Sequence, residues 1–381
     1  MSWRRVPDEK GGGYEVRWRQ GTRHRSRTFR SREDAKLFDG EVQRRARLGT
    51  LADLDAGIEL LADFGTEWWR RSVQGRLAVS TRRRYAEVWD GHVLPRLGDY
   101  ELRQLRAGVI DDELVSAMLA DGVGLATVRK ALYMLRSCLA YAVRRDLLLY
   151  NPAREVDLPK GTRRAVKPLS PEIVERMRGR VSERDATLLS VMYGAGLRPG
   201  EALALRDESI RERTLLVESS ISFGTEKDTK TRKARAVRLL GPIAQDLAAY
   251  RLATAKERLG SRYLFPRPDG QAWRDHDFRN WRRRVFQPAA RGALQLGDNQ
   301  ATPRPYDLRH TFVSLLIAEG RTIAYVAAQA GHSAEECART YLHLFDEHED
   351  ADPAERVSAE DAIRAARVRA EYGNDAGARG A

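Results

Sequence analysis

The chain has 381 residues, with 67 Lys and Arg against 54 Asp and Glu, a formal net charge of +13, and 42% hydrophobic residues. That is enough apolar material for two or three cored domains, which excludes a disordered polymer. A mean hydropathy of −0.56, and no apolar run near the roughly 18–20 residues of a membrane span, exclude a membrane partner. Cys138 and Cys337 are the only cysteines, too few for a disulfide framework or a thiolate metal site. No signal-peptide run opens the sequence, so a cytoplasmic protein is expected. The positive charge favours a polyanionic partner, nucleic acid first. Only nine of the 67 basic residues are Lys, however, and a GC-rich genome supplying arginine codons produces the same excess.

The first unit is expected over residues 1–50. Tyr14 to Trp18 alternates, Arg23 to Phe29 has strand character, and Gln20-Gly21 supplies the turn between them. Ser31 caps a helix to about Arg47, with Ala35, Leu37, Phe38 and Val42 as its apolar face. These 50 residues hold 14 basic and 7 acidic side chains, half of the net charge of the chain. Arg17, Arg19, Arg23, Arg25 and Arg27, interleaved with Trp18 and Phe29, are expected to form a DNA-facing surface.

Residues 58–158 read as a helical domain. Ser80 precedes a helix to about Val93, and Val128, Ala131, Leu132, Leu135, Leu139 and Ala142 form an i, i+3, i+4, i+7 stripe. A basic linker with Lys160, Arg163 and Arg164 follows, suited equally to a strap across a phosphate backbone and to an ordinary solvated connector. A third region over 165–350 opens at the Ser170-Pro171 cap. It is mostly helical, with a β-rich interval between about Thr214 and Leu240. Residues 351–381 form an acidic tail with a short helix near Ala359 to Ala370.

Several local arrangements in the third region could carry chemistry. Arg198 lies before Pro199 at a helix start, where backbone N–H groups favour an anion. Lys230 is expected at a hairpin tip. Tyr306 and Arg309 share a helix face at i, i+3 spacing. Gly331 ends a helix that begins at Thr322 and so presents His332, and Ser333 to Glu336 caps the segment that leads to Tyr341. Each of these alone is as readily structural.

Together, in order, G-L-R-x-x-E, the hairpin Lys, x-D-L-R-H-T, G-H-S and T-Y-L-H resemble the tyrosine recombinase (phage integrase) family over about residues 165–346. The preceding helical segment resembles that family's core-type DNA-binding domain. The N-terminal unit resembles the arm-type DNA-binding domain of lambda-type integrases. The resemblance implies a mainly α multidomain protein of the tyrosine recombinase fold: a small N-terminal sheet-plus-helix unit, a helical core-binding domain, and a mostly helical catalytic domain with a small antiparallel sheet. It implies Tyr341 as nucleophile, Arg198 and Arg309 as phosphate ligands, Lys230 as the acid, His332 as a further catalytic residue, and Glu201 and His310 in support. Tyr306 stands where the family usually has His or Lys.

Two guanidiniums can grip a phosphate as a metal would, so no metal and no cofactor are expected. The implied partners are double-stranded DNA with core-type and arm-type sites, three further copies in a tetramer on DNA, a DNA-bending host factor and an excisionase. A chromosome-dimer resolvase of the same superfamily, and a DNA-binding relative without catalysis, are the alternatives.

Overall fold

The computed structural model describes residues 3–7, 12–20, 22–49, 56–159, 161, 166–222, 224–228, 234–297, 299–348 and 352–378. Lys160, Arg163, Arg164 and Lys230 lie outside them. Chain contacts divide at Thr162 into two units. Mostly helical units with small antiparallel sheets are what the sequence predicts.

In the first unit, strands β1 (Trp3–Arg5), β2 (Tyr14–Gln20) and β3 (Arg23–Phe29) form an antiparallel sheet in the order β1-β2-β3. The helix Arg32–Arg47 packs on it, its N-terminus capped by the Ser31 hydroxyl. Val16, Trp18, Ala35 and Val42 are the buried core, and the Trp18 ring meets Phe38 edge-on at 5.4 Å.

Two expectations are corrected here. Leu37 is 75% exposed, because the core-facing positions 35, 38 and 42 follow a 3.6-residue period that leaves 37 on the far side. The arginines also do not share one face with Trp18 exposed among them. Directly paired residues point to the same side of a sheet, and Trp18 pairs with Arg25 and Val16 with Arg27. Arg25 and Arg27 therefore lie on the helix-covered side, where Arg27 stacks over Phe38, while Arg17 and Arg19 lie on the open face. Trp18 is core.

A separate helical cluster occupies the rest of this unit. The helix Leu125–Arg144 buries the whole predicted stripe together with Cys138. The helix predicted after Ser80 begins two residues earlier, at Val79, and runs to Val88 before a wider turn over Trp89–Val93. Ala78 stands at its cap position and Ser80 lies within its first turn.

The second unit has one large core, built on the helices Pro171–Arg178, Glu183–Gly194, Gly241–Ala253 and Asp307–Ala318. Its β-rich interval is one long hairpin. The outgoing arm is β4 (Thr214–Val217) and β5 (Ser219–Ser222), and the return arm is β6 (Thr225–Asp228) and β7 (Arg235–Arg238). β5 pairs β6 and β4 pairs β7. The tip lies between Ser222 and Thr225, where Gly224 has a φ of +72°, a conformation that favours glycine. Lys230, expected at a hairpin tip, lies outside the described residues.

The segment expected as a tail carries a longer helix, Ala359–Ala378, packed on the helix Pro171–Arg178. Ala359, Ile363 and Ala366 recur on one helical face and are fully buried. Arg367 reaches Asp246 at 2.6 Å and Glu175 at 3.3 Å, and Arg178 meets Asp246 at 2.8 Å. The acidic surplus around it hid this apolar stripe.

Candidate active site

Arg198 stands at the N-cap of the short helix Pro199–Leu203, with the extended backbone that a following proline imposes. Arg309 lies in the first turn of Asp307–Ala318. The helix Ile323–Ala330 runs from its Thr322 cap to Gly331, whose φ of +62° gives the left-handed C-terminal cap. His332 follows directly, and Ser333 caps the next helix, Ala334–Glu347, which carries Tyr341.

Three arginines converge on the C-terminal end of the Ile323–Ala330 helix. Arg235 Nε donates to the Gln329 carbonyl at 3.3 Å, Arg309 Nη2 donates to the Ala330 carbonyl, and Arg198 Nη2 donates to the Gly331 carbonyl at 2.9 Å. These carbonyls have no intrahelical partner, and the helix end carries partial negative charge, so cations are favoured there. The three side chains come from a helix cap, a strand and a second helix.

Glu201 organises two of them. Its carboxylate accepts from the Arg198 backbone N–H at 2.9 Å and from Arg198 Nη1 at 2.8 Å. It also accepts from Arg235 Nη1 at 3.0 Å and Arg235 Nη2 at 2.6 Å. Burial alone would raise its pKa, but the hydrogen bonds and charge of Arg235, with the charge of Arg198, outweigh this and hold it at about 2. For Arg198 burial works against the cation, yet Glu201 and a hydrogen bond with Tyr306 raise its pKa.

Arg309 is 0% exposed, which is rare for a cation. Its Nη1 donates to the Gly196 carbonyl at 2.6 Å and its Nη2 lies 3.0 Å from His332 Nε2. The left-handed φ of Gly196, +62°, aims that carbonyl, and any side chain there would run into the Phe312 ring. Burial, then the charge of Arg198, brings the Arg309 pKa down to about 10, so it stays a cation near neutrality. Because guanidinium only donates, His332 Nε2 must accept, which leaves the proton on Nδ1. Burial, then Arg309 and Arg198, pushes the His332 pKa down to about 3. Arg309 Nε and His332 Nδ1 are buried donors without a hydrogen-bond partner among the described residues.

Tyr341 is also 0% exposed, with its ring 6.2 Å from that of His332. Its hydroxyl lies 2.7 Å from His310 Nδ1. Burial raises the Tyr341 pKa above its ordinary value, against the pull of Arg309. Tyr306, 36% exposed, caps the Asp307–Ala318 helix and meets His310 edge-on with ring centroids 5.3 Å apart.

Arg198, Glu201, Tyr306, Arg309, His310, His332 and Tyr341 are thus one contiguous group in the second unit. Arg17, Arg19, Arg25 and Arg27 belong to the first unit. Arg235, which lies in the β-rich interval, also belongs to the group. Its alternation with Val237 and its place after a lysine-bearing segment give no hint of a carboxylate partner 34 residues away. Among the described residues no three His, Cys, Asp or Glu side chains are placed to hold a metal, and no helix is long and apolar enough to cross a membrane.

The sequence model of the phage integrase family matches residues 167–348. Among curated relatives, tyrosine recombinase XerC of Methylobacterium sp. (strain 4-46) is 30% identical over 265 residues, 66% of this chain and 75% of the relative. Tyrosine recombinase XerD of Pseudomonas aeruginosa is 28% identical over 235 residues, 59% of this chain and 74% of the relative. Among solved structures, the Tn1549 transposon integrase in complex with transposon right end DNA superposes with a TM-score of 0.62 at 17% identity, over 77% of this chain and 99% of that one. A lambda integrase tetramer bound to a Holliday junction gives 0.60 at 14% identity, over 86% and 92%.

Proposed function

Since this chain belongs to the phage integrase family of tyrosine recombinases, enzymes that cut and rejoin DNA strands, we propose that it is an integrase of a phage or mobile element, with Tyr341 as its nucleophile. The observation that carries the site assignment is the convergence of two guanidiniums, Arg198 and Arg309, and the His332 imidazole beside the Tyr341 hydroxyl. Tyr341 attacks the scissile phosphorus, a 3′-phosphotyrosyl bond forms, and a 5′-hydroxyl leaves. Arg198 and Arg309 stabilise the charge on the non-bridging oxygens. An arriving phosphate oxygen would satisfy the buried spare donors Arg309 Nε and His332 Nδ1, which are costly while unpaired. Arg309 and Tyr341 have no exposed surface, so the scissile phosphate reaches them only when the site opens. Lys230 takes the acid role by its position in the sequence, and Tyr306 donates a hydrogen bond to the phosphate.

Residues 1–50 would bind arm-type DNA, 58–158 core-type DNA, and 165–350 would carry the chemistry, with Lys160, Arg163 and Arg164 along the backbone. The open sheet face with Arg17 and Arg19 favours the arm-type role. So does the coverage by lambda integrase, which is 78% of this chain for a shortened dimer on a core site and 90% for the longer one. Assembly as a homotetramer on DNA, with a DNA-bending host factor and an excisionase, belongs to the same reading. The XerC and XerD relatives support the chromosome-dimer resolvase as a second reading.

The test uses nicked duplexes selected from a randomised pool for binding to the whole chain. Covalent adduct in denaturing gels is expected in the presence of a metal chelator. Lys230→Ala should lose the adduct and regain it when the 5′ leaving atom is sulfur, which needs no protonation. A bound duplex that never yields adduct would count for the non-catalytic relative, and a Lys230→Ala defect unchanged by sulfur would remove Lys230 from the acid role.

A further inference from the structure

The family resemblance leaves the proton of the attacking phenol without an imidazole to receive it, because position 306 is a tyrosine. We propose that His310 is the general base of strand cleavage, its Nδ1 taking the Tyr341 proton directly. The inference rests on the reading of Tyr341 as nucleophile. Position 310 is one helical turn beyond 306, so both side chains project from the same face of the Asp307–Ala318 helix. The helix therefore offers an imidazole to the site from the next turn.

The geometry is that of a nucleophile and its base: His310 Nδ1 lies 2.7 Å from Tyr341 Oη, within the reach that proton transfer needs. For Nδ1 to accept, the ring proton must sit on Nε2. Burial lowers the His310 pKa, so the imidazole is neutral and able to accept near pH 7. Tyr341, with its pKa raised by burial, does not ionise there unaided.

The groups facing His310 come from every side of the site. Arg304, Tyr306, Asp307 and Arg309 belong to its own segment, Tyr341 to the Ala334–Glu347 helix, and His332 to the turn before that helix. Arg304 and Arg309 disfavour its cation, whereas Asp307 favours it and so stabilises the imidazolium that cleavage forms. His332 cannot serve instead. Its Nε2 already accepts from Arg309.

The step balances. Tyr341 Oη bonds to phosphorus as the P–O5′ bond breaks, the phenol proton passes to His310 Nδ1, and the leaving O5′ takes a proton from the acid assigned to Lys230. On rejoining, the attacking 5′-hydroxyl gives its proton back to that acid, and the His310 imidazolium reprotonates Oη as it leaves.

The experiment measures single-turnover cleavage of the selected nicked duplex by His310→Asn, His310→Ala and Tyr341→Phe, with duplex binding as the check on folding. Asn keeps a hydrogen-bond acceptor near the Nδ1 position but takes no proton. Both His310 variants are expected to cleave about 10²-fold or more slower than wild type, with oxygen or sulfur as the leaving atom, since sulfur replaces only the acid. Added imidazole should restore part of the rate to His310→Ala and none to Tyr341→Phe. The wild-type rate should fall as pH drops below the ordinary histidine value of 6.5, and His310→Asn should lack that limb. Cleavage by His310→Asn within about threefold of wild type, with an unchanged pH profile, overturns the base assignment and leaves a positioning contact. Adduct formed by Tyr341→Phe would instead overturn the assignment of the nucleophile.

Discussion

Arg309→Lys is expected to slow strand cleavage by about 10³-fold or more and to destabilise the second unit by about 1–3 kcal/mol. The planar fork of Arg309 binds the Gly196 and Ala330 carbonyls and touches His332, while its Nε stays unpaired. An ammonium is a compact point charge with three donors and cannot span these partners while also presenting a donor to phosphate. One buried carbonyl is then left unsatisfied, which accounts for the stability loss, and the lost phosphate donor accounts for the rate. Urea unfolding and single-turnover cleavage read the two effects separately. Cleavage near the wild-type rate would show that Arg309 is only a brace for the end of the Ile323–Ala330 helix.

The second large effect is expected at Glu201. Glu201→Gln removes the negative charge shared by Arg198 and Arg235, leaving two partly buried cations without it, at a cost of about 3–5 kcal/mol. A unit of this size should lose on the order of 10 °C in Tm. The sign of the pH dependence follows from the direction of the shift. The folded-state value of about 2 lies below the ordinary 4.5, so the stabilisation is fully present above pH 4.5 and is lost as pH falls toward 2. At 3% exposure, that difference corresponds to about 3 kcal/mol. Thermal melts from pH 7 to pH 2 should show this loss in wild type and its absence in Glu201→Gln. Parallel melting curves would remove Glu201 from the role of holding the arginines together.

The site was legible in the sequence because most of its side chains sit at helix boundaries with local signals. Thr322 and Gly331 bracket one helix, Ser333 opens the next, and Pro199 follows Arg198; each signal acts over one to four residues. What escaped depends on partners distant in sequence. Nothing near Arg235 announces its ion pair with Glu201, and nothing near His310 announces the Tyr341 hydroxyl 31 residues later.

Strand pairing was equally hidden. No local signal shows that the run from Thr214 to Ser222 is paired in two parts, β5 with Thr225–Asp228 across the Gly224 turn and β4 with the later Arg235–Arg238. On the N-terminal sheet, the arginine pattern concealed the period of two that separates Arg17 and Arg19 from Arg25 and Arg27. At the C-terminal end, the small residues Ala359 and Ala366 carry too little hydrophobicity to stand out beside ten acidic residues, yet both are fully buried, and Ala359 joins Ile363 in the core.

Mapping the covalent adduct tests Tyr341 most directly. The whole chain is trapped on a nicked duplex, the DNA is digested, and the protein is cleaved and sequenced by mass spectrometry. The nucleotide is expected on Tyr341 alone, through a phosphodiester to its hydroxyl, and absent from Tyr306. A nucleotide attached to Tyr306, or to any residue other than Tyr341, would contradict the assignment of the nucleophile and with it the roles derived for the side chains around it.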